Sequence, residues 1–200
     1  MARRKGGIDR DALREKLIAV AEALVLQGGQ EALTARALAT HIGYSLGHVY
    51  NLVEDLDELV LLVNGRTLDR LYETLQDAAE EAKPGHKVHA IAAAYLTFCA
   101  ENARMWSLVL NHRLAEGNQL PEHYAARISA LPVLVATELK VMFPKRSSEQ
   151  IKRDVAALWS ALHGLGTLEH NGRLPLIGAP GAQLLAKHLL DLTFAGMKDK

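Results

Sequence analysis

Cysteine is nearly absent from the sequence, in which Cys99 is the single example among 200 residues. A disulfide within the chain is therefore excluded, and we expect a reducing compartment, the cytoplasm. Cys99 lies in an apolar helical stretch, where a small core residue is the more frequent role of an unpaired cysteine. The sequence thus favours packing over redox chemistry at this position.

Long apolar runs are also missing, and the charges show no excess of either sign. No segment approaches the ~20 apolar residues that a membrane-spanning helix needs, and the starting stretch MARRKGGIDR lacks the apolar part of a secretory signal. The 23 Lys and Arg residues balance 23 Asp and Glu residues. Any basic surface for a polyanion must therefore be local, and we expect no membrane partner.

Motifs typical of enzymes and metal sites are absent as well. His86 and His89 lie three residues apart at a predicted helix start, but no carboxylate or cysteine stands near them at ligand spacing. We find no nucleophile–base arrangement, no glycine-rich phosphate loop and no paired carboxylates. We therefore predict no catalytic activity, no metal and no cofactor.

Helical periodicity, by contrast, runs through almost the whole chain. A first helix can begin at Asp9 or Asp11 and end at Gly28-Gly29. Two short helices follow, capped by Thr34 and Ser45. A long fourth helix is expected over about 55–82. We predict a three-helix N-terminal domain over residues 1–54 and a second domain over residues 55–200.

The second domain is predicted as a larger helical bundle beyond Lys83-Pro84-Gly85. Its helices are expected at about 88–101, 104–112, from 121 onwards, 147–169 and 182–197. Pro132 falls inside the third of these and predicts a kink or a break. The fold class is therefore all-α, with about nine helices and a long helix joining the two parts.

Residues 33–51 have the spacing of a helix-turn-helix. Two helices of about seven residues flank Gly43, and in such a motif the second helix presents its side chains to base edges in the major groove. Gly47 would allow close approach of the backbone, and hydroxyl groups such as those of Thr34 and Ser45 can contact phosphates. From spacing alone, an ordinary bundle stays open as the alternative.

The run LTARALATHIGYSLGHVY, residues 33–50, resembles the N-terminal domain of TetR-family transcriptional regulators. The family pattern LT-x-R-x-(I/L)-A followed by G-(V/Y)-S-x-G-x-(L/V)-Y is matched at Thr34, Arg36, Ala39, Gly43, Ser45, Gly47 and Tyr50. The resemblance implies a homodimeric, all-α repressor that a small molecule releases from a pseudo-palindromic operator in double-stranded DNA. The predicted DNA-binding residues are Arg3, Arg4, Lys5, Thr34, Arg36, Tyr44, Ser45, Gly47, His48, Tyr50 and Asn51.

Three positions depart from the family pattern. Leu52 stands where the family has His or Tyr, Val53 where it has an aromatic residue, and Leu56 where it has a phosphate-binding Lys. Lost phosphate contacts weaken DNA binding in a largely sequence-independent way, although the basic Arg3-Arg4-Lys5 segment could compensate. The alternative function is therefore a ligand-binding or interaction protein of this fold with weak or lost DNA binding.

Carboxylates follow the recognition helix directly, where a DNA-binding surface would be expected to be basic. Asp55 as N-cap and Glu58 in the first turn match a capping box and complement the dipole of the fourth helix. We interpret them as helix-starting residues.

WSALHGLGTLE, residues 159–169, is similar to the Trp–His–Gly signature of one C-terminal subclass of the same family. The family's bundle holds a small-molecule pocket, and apolar helix faces here carry aromatic residues and a histidine that suit a largely apolar effector. Gly164 is expected to permit close helix approach. Each side chain taken singly also fits core packing. The predicted ligand-binding residues are Tyr95, Phe98, Cys99, Trp106, Leu110, Trp159 and His163.

The last two helices carry more apolar residues than one core requires, which predicts a two-fold symmetric dimer through both of them. Burial within the monomer is the alternative. The predicted interface residues are Ile151, Val155, Leu158, Leu162, Leu165, Leu184, Leu185, Leu189, Leu192 and Phe194.

Overall fold

The computed structural model describes residues 9–114 and 119–198. Arg3, Arg4 and Lys5 lie outside these residues. The described residues form nine α-helices and contain no strand, which confirms the all-α prediction. The helices are α1 Arg10–Gly28, α2 Ala35–Ile42, α3 Leu46–Tyr50, α4 Leu56–Glu81, α5 Lys87–Glu101, α6 Ala103–Asn111, α7 Glu122–Met142, α8 Ser148–His170 and α9 Ala182–Lys198, with 3₁₀ turns at Gln30–Ala32 and Pro175–Ile177.

Side-chain caps fix several helix starts. The Asp9 carboxylate accepts from the backbone N–H of Asp11 and of Ala12 at the start of α1. The Thr34 hydroxyl accepts from the N–H of Ala37 at 3.1 Å, as predicted. Ser147 and Gln150 form a full capping box at α8. These bonds satisfy amides that the first helical turn leaves without a partner, so local sequence determines where these helices begin.

The chain divides into two compact units. The first contains the described residues up to Thr67 together with those between Arg104 and Leu120, and the second contains those of Leu68–Ala103 and of Pro121 onwards. Helix α4 contributes residues 56–67 to the first unit and residues 68–81 to the second. The predicted functional domains 1–54 and 55–200 are divided differently and stay a prediction.

The core of the first unit is formed by α1, α2, α3, the start of α4 and α6. Leu17, Leu38 and Val49 are fully buried in it, and Leu108 of α6 belongs to the same cluster. Leu52 and Val53 are buried there too, and Leu56 packs against the cluster. The three positions that depart from the family pattern are therefore used for packing.

The second unit is a bundle in which α5 packs against α7, α8 and α9. Helix α7 is continuous through Pro132, so the predicted break is wrong. Proline removes the bond to the carbonyl four residues earlier, that of Ile128. Ile128 is exposed, so water can satisfy that carbonyl and the helix need not end.

Candidate DNA-binding and ligand-binding sites

The turn between α2 and α3 is built around Gly43. This residue adopts the left-handed backbone conformation, with a φ of 78°. A residue with a side chain would be strained in this conformation. The N–H groups of Gly43 and Tyr44 both donate to the carbonyl of Ala39 at 3.1 Å. The turn is therefore tight, as a helix-turn-helix requires.

Helix α3 is anchored by one residue and exposes the others. Val49 is fully buried, whereas the other four residues of α3 are exposed. The predicted DNA-binding residues within the described chain lie mostly at this surface: Thr34, Arg36, Ser45, Gly47, His48, Tyr50 and Asn51 are exposed and Tyr44 is half-buried. The fold thus presents them together on α2, α3 and the turn between them.

The imidazole of His48 is held from two sides. The hydroxyl oxygen of Ser45 lies 3.1 Å from Nδ1 of His48, and the ring centroid of Tyr44 lies 5.3 Å from that of the imidazole. Ser45 occupies the N-cap position of α3 but makes no capping bond with its side chain. The Ser45–His48 bond engages Nδ1, so Nε2 is the ring nitrogen available to a base edge.

Arg10 was not singled out by the sequence. Its guanidinium donates to the carbonyl of Asn51 at 2.9 Å, which fastens the end of α3 to the start of α1. Arg10, Tyr50 and Asn51 also line a polar hollow of about 360 Å³. The two bonded residues are 41 positions apart, so no local pattern could have indicated this contact.

The acidic residues after α3 act as helix-starting residues, as interpreted from the sequence. The Asp55 carboxylate accepts from the N–H of Glu58 at 2.7 Å, and the Glu58 carboxylate accepts from the N–H of Glu54 at 2.6 Å. The second oxygen of Glu58 pairs with Arg14 of α1. The carboxylate of Glu58 thus caps the start of α4 and joins it to α1 within the first unit.

Five of the seven predicted ligand-binding residues lie in the second unit, and four of them meet there. The phenol oxygen of Tyr95 lies 2.8 Å from Nδ1 of His163, and the rings of Tyr95 and Trp159 are 5.1 Å apart. Burial lowers the pKa of His163, which favours the neutral imidazole. Burial raises the pKa of Cys99 to about 12, a change that its hydrogen bond with Tyr95 opposes, so its thiol stays protonated.

The remaining three candidates are placed differently. Phe98 is buried in the second unit on α5. Trp106 and Leu110 lie on α6 in the first unit, where Trp106 is buried and Leu110 is exposed. The seven residues therefore do not form a single cluster within one unit, and their role in ligand binding stays a prediction.

The interior around Tyr95 and Trp159 is almost filled. The cavity that they line with Ala92, Leu158 and Leu190 holds about 10 Å³, which is room for at most one water molecule. An effector in this interior would have to displace side chains.

Helix α8 uses most of its predicted dimer residues inside the monomer. Ile151, Val155, Leu158 and Leu162 are buried in the core of the second unit. On α9 Phe194 is buried too, whereas Leu184 and Leu192 are exposed by 64% and 59%. Burial within the monomer is therefore the outcome for these four α8 residues, whereas Leu165 is half-buried. The exposed leucines of α9 stay candidates for an interface.

Two glycines of α8 differ in their surroundings. A Cβ at Gly166 would approach Cδ2 of Leu96 at 3.3 Å, so the close approach of α5 and α8 occurs there. A Cβ at Gly164 would meet nothing within 4 Å. The expectation that Gly164 permits close helix approach is therefore wrong within the monomer, where Gly166 has that role.

His86 and His89 lie near each other at the start of α5, with ring centroids 6.0 Å apart. His89 pairs through Nε2 with Asp191 at 2.9 Å, a carboxylate partner that the sequence did not reveal because it lies 102 positions away. Among residues 9–114 and 119–198, no three His, Cys, Asp or Glu side chains converge as metal ligands would. In the same part of the chain no helix has the length and hydropathy to cross a bilayer.

A tight two-helix element with an exposed second helix, followed by a helical bundle, defines a helix-turn-helix regulator. Residues 88–192 match the family model described as the tetracyclin repressor-like C-terminal domain. The chain belongs to the TetR family of transcriptional regulators, and its helix-turn-helix is the DNA-binding element of that family.

Proteins of known sequence or structure resemble this chain. An uncharacterised HTH-type transcriptional regulator of Mycobacterium tuberculosis, Rv0681, is 29% identical over 160 residues, which are 80% of this chain and 71% of that protein. A protein of unknown function from Rhodococcus sp. RHA1 superposes with a TM-score of 0.76 at 23% identity, covering 92% of this chain and 94% of its own. The TetR-family regulator PfmR of Thermus thermophilus superposes with a TM-score of 0.62 at 19% identity, covering 90% and 97%.

Proposed function

We propose that the protein is a homodimeric cytoplasmic repressor that binds a pseudo-palindromic operator and leaves it when a small molecule binds. The observation that carries the proposal is the exposed face of α3, on which His48 is oriented by Ser45 and Tyr44. A side chain fixed before binding loses less conformational entropy when it contacts a base. Oriented groups on a protruding helix suit base contacts in a major groove.

We assign the contacts that position the protein on the DNA duplex to residues around α3. We assign phosphate contacts to exposed Thr34, the N-cap residue of α2, and to exposed Arg36 within α2. Arg10, with its bond to the carbonyl of Asn51, holds the end of α3. In a dimer, two copies of α3 would enter successive major grooves about one helical turn of DNA apart.

The dimer is proposed to form through α9 and the exposed face of α8. Leu184 and Leu192 of α9 are exposed apolar residues, and on α8 the position of Gly164 is open to solvent. Exposed apolar residues on α9 and an open glycine on α8 suit close packing of a second copy.

Effector release is proposed to act through α4, because this one helix contributes residues to both units. An effector bound in the second unit can shift the equilibrium only if it binds the DNA-incompetent conformation more tightly. Movement of α4 would then change the spacing of the two recognition helices. We assign the sensing of the effector to Tyr95, Trp159 and His163, which contact one another in the second unit.

The alternative is a ligand-binding protein of the same fold with weak or lost DNA binding. It is favoured by one observation, the burial of Leu52 and Val53 in the core of the first unit. These side chains cannot contact phosphates from there.

A salt-dependent gel shift on the DNA upstream of the protein's own coding sequence separates the two functions. A repressor retards a specific fragment, and replacement of His48 and Tyr50 by Ala abolishes the shift. Lys152→Ala is the control, because this exposed α8 side chain pairs only locally with Glu149. Light scattering must show the same molar mass for all variants. Absence of specific retardation on genomic fragments, with or without candidate effectors, would refute DNA-binding regulation.

A further inference from the structure

Helices α5 and α9 run antiparallel, and side chains join them at two places along their length. The Gln183 side chain donates to the Ala93 carbonyl at 3.0 Å and to the Thr97 hydroxyl at 3.1 Å. Further along α9, Asp191 bonds to His89, and the Phe194 ring lies edge-on to the same imidazole. Between and beside these contacts the helices leave a groove of about 620 Å³.

The groove has an apolar floor because its helices carry alanine where larger residues would fill it. Its volume lies within the range of sites that hold drug-sized ligands. Five alanines and one leucine form the apolar part: Ala82, Ala90, Ala92, Ala93, Ala186 and Leu190. A ligand with an extended apolar part can therefore bury that part here without displacing side chains.

The polar part of the groove is cationic or neutral. It consists of Lys83, His86, His89, Gln183 and Lys187, and none of the eleven lining residues is acidic. Lys187 is already paired with Asp191 at 2.7 Å. Lys83 lies just before α5, whose N-cap residue His86 makes no capping bond with its side chain. The end of the groove at Lys83 therefore combines a positive side chain with the positive end of a helix dipole.

We propose that this α5–α9 groove binds an amphipathic anion, with an acyl or similar chain along the alanines and a carboxylate beside Lys83 and the start of α5. The charge complementarity and the apolar floor carry the assignment. The assignment of this groove as the effector site rests on the proposed function. Binding of the anion in the groove does not itself depend on DNA binding.

The groove also adjoins the aromatic cluster of the bundle. Ala92 and Leu190 line both the groove and the small interior cavity beside Tyr95 and Trp159. The wall between the two spaces therefore includes these two side chains. A ligand in the groove presses on the wall of the core, which gives its binding a route to the packing around Trp159.

Calorimetric titration of the full chain with decanoate, below its micelle-forming concentration, tests the head group. Decanol and decyltrimethylammonium share the chain length and differ in charge. We expect decanoate to bind, and decanol to bind about tenfold more weakly, since a charged contact of about 1.4 kcal/mol is lost. Equal binding of the cation, or no binding of decanoate, would overturn the proposal.

Two variants locate the site. Ala93→Trp places a large side chain on an exposed position of the groove wall and should abolish decanoate binding, whereas Ala126→Trp, on an exposed position of α7, should not. Lys83→Ala should weaken binding about tenfold, with Lys152→Ala as its control. Unchanged affinity of Ala93→Trp would place the ligand elsewhere and overturn the assignment.

The other occupant to be tested is a second copy of the chain. If Ala93→Trp lowers the molar mass in light scattering, the groove is covered by a partner subunit and the ligand site is wrong. The operator gel shift of the unmodified protein is read separately. If decanoate gives no titration heat but the protein retards a specific DNA fragment, only the groove proposal is refuted. If decanoate gives titration heat but no DNA fragment is retarded, only DNA-binding regulation is refuted.

Discussion

The hydroxyl oxygen of Ser45 lies 3.1 Å from Nδ1 of His48, although Ser45 stands at the N-cap of α3. An N-cap serine ordinarily accepts from a backbone amide of the first turn. Here the hydroxyl fixes an exposed imidazole beside Tyr44. The Ser45 hydroxyl therefore orients the side chain of His48 on the proposed DNA-binding face and does not cap α3.

Ser45→Ala should therefore weaken operator binding. Loss of one neutral hydrogen bond of about 1 kcal/mol corresponds to about a fivefold rise in Kd. Fluorescence anisotropy with a labelled operator measures it. Ser129→Ala on α7 is the matched control, because that exposed hydroxyl bonds only to carbonyls of its own helix. An unchanged Kd for Ser45→Ala would mean that orientation of His48 does not matter.

Arg10→Ala should weaken operator binding by about fivefold, since the Asn51 carbonyl loses the charged donor that holds the end of α3. Arg153→Ala is the comparison, because Arg153 bonds to the backbone of its own helix. Kd and the unfolding midpoint should be measured together. A large fall in the midpoint with proportionate loss of binding would assign Arg10 to stability and not to the positioning of α3.

The burial of His163 predicts a pH dependence of stability. Its pKa in the folded protein is lowered from 6.5, so the unfolded chain binds the proton more readily. This group's contribution is complete above about pH 6.5, the unfolded value, and is lost as the pH falls from there through the lower pKa of the folded protein. Denaturant unfolding at several pH values should show a smaller acid-side loss for His163→Gln. His188→Gln, at an exposed position, is the control, and equal pH profiles of the His163 variant and the parent would contradict the prediction.

Leu184→Glu combined with Leu192→Glu should convert a dimer to a monomer, because charges would be buried at the proposed α9 interface. Val133→Glu introduces the same charge at an exposed position of α7 and should leave the dimer intact. Light scattering gives the molar mass. A dimer that survives the double change would require an interface elsewhere.

The parts of the fold that sequence predicted are those with local causes. Thr34, Asp55 and Ser147 each act within four residues of their own position, so their helix starts follow from short motifs. The tight turn at Gly43 follows from the conformational freedom of glycine. Such features depend little on the rest of the molecule.

The parts that sequence missed depend on contacts between distant positions. The bonds from Arg10 to Asn51 and from His89 to Asp191 join residues that no pattern connects. Helix periodicity groups Trp106 and Leu110 with Tyr95, because periodicity does not indicate that α6 packs in the first unit. The DNA-binding surface of α3 is therefore easier to predict from sequence than the ligand-binding residues are. Burial of the single residue Val49 leaves the other residues of this short helix exposed.

Burial of Leu52 and Val53 limits how this TetR-family scaffold can be redesigned. Introducing the basic or aromatic residues usual in the family at these positions would disturb a packed core, and core substitutions of this kind commonly cost about 1–3 kcal/mol. Glu54 next to them is exposed. Removal of its charge or replacement by Lys is therefore the less costly way to tighten operator binding, and it would steepen the dependence on salt.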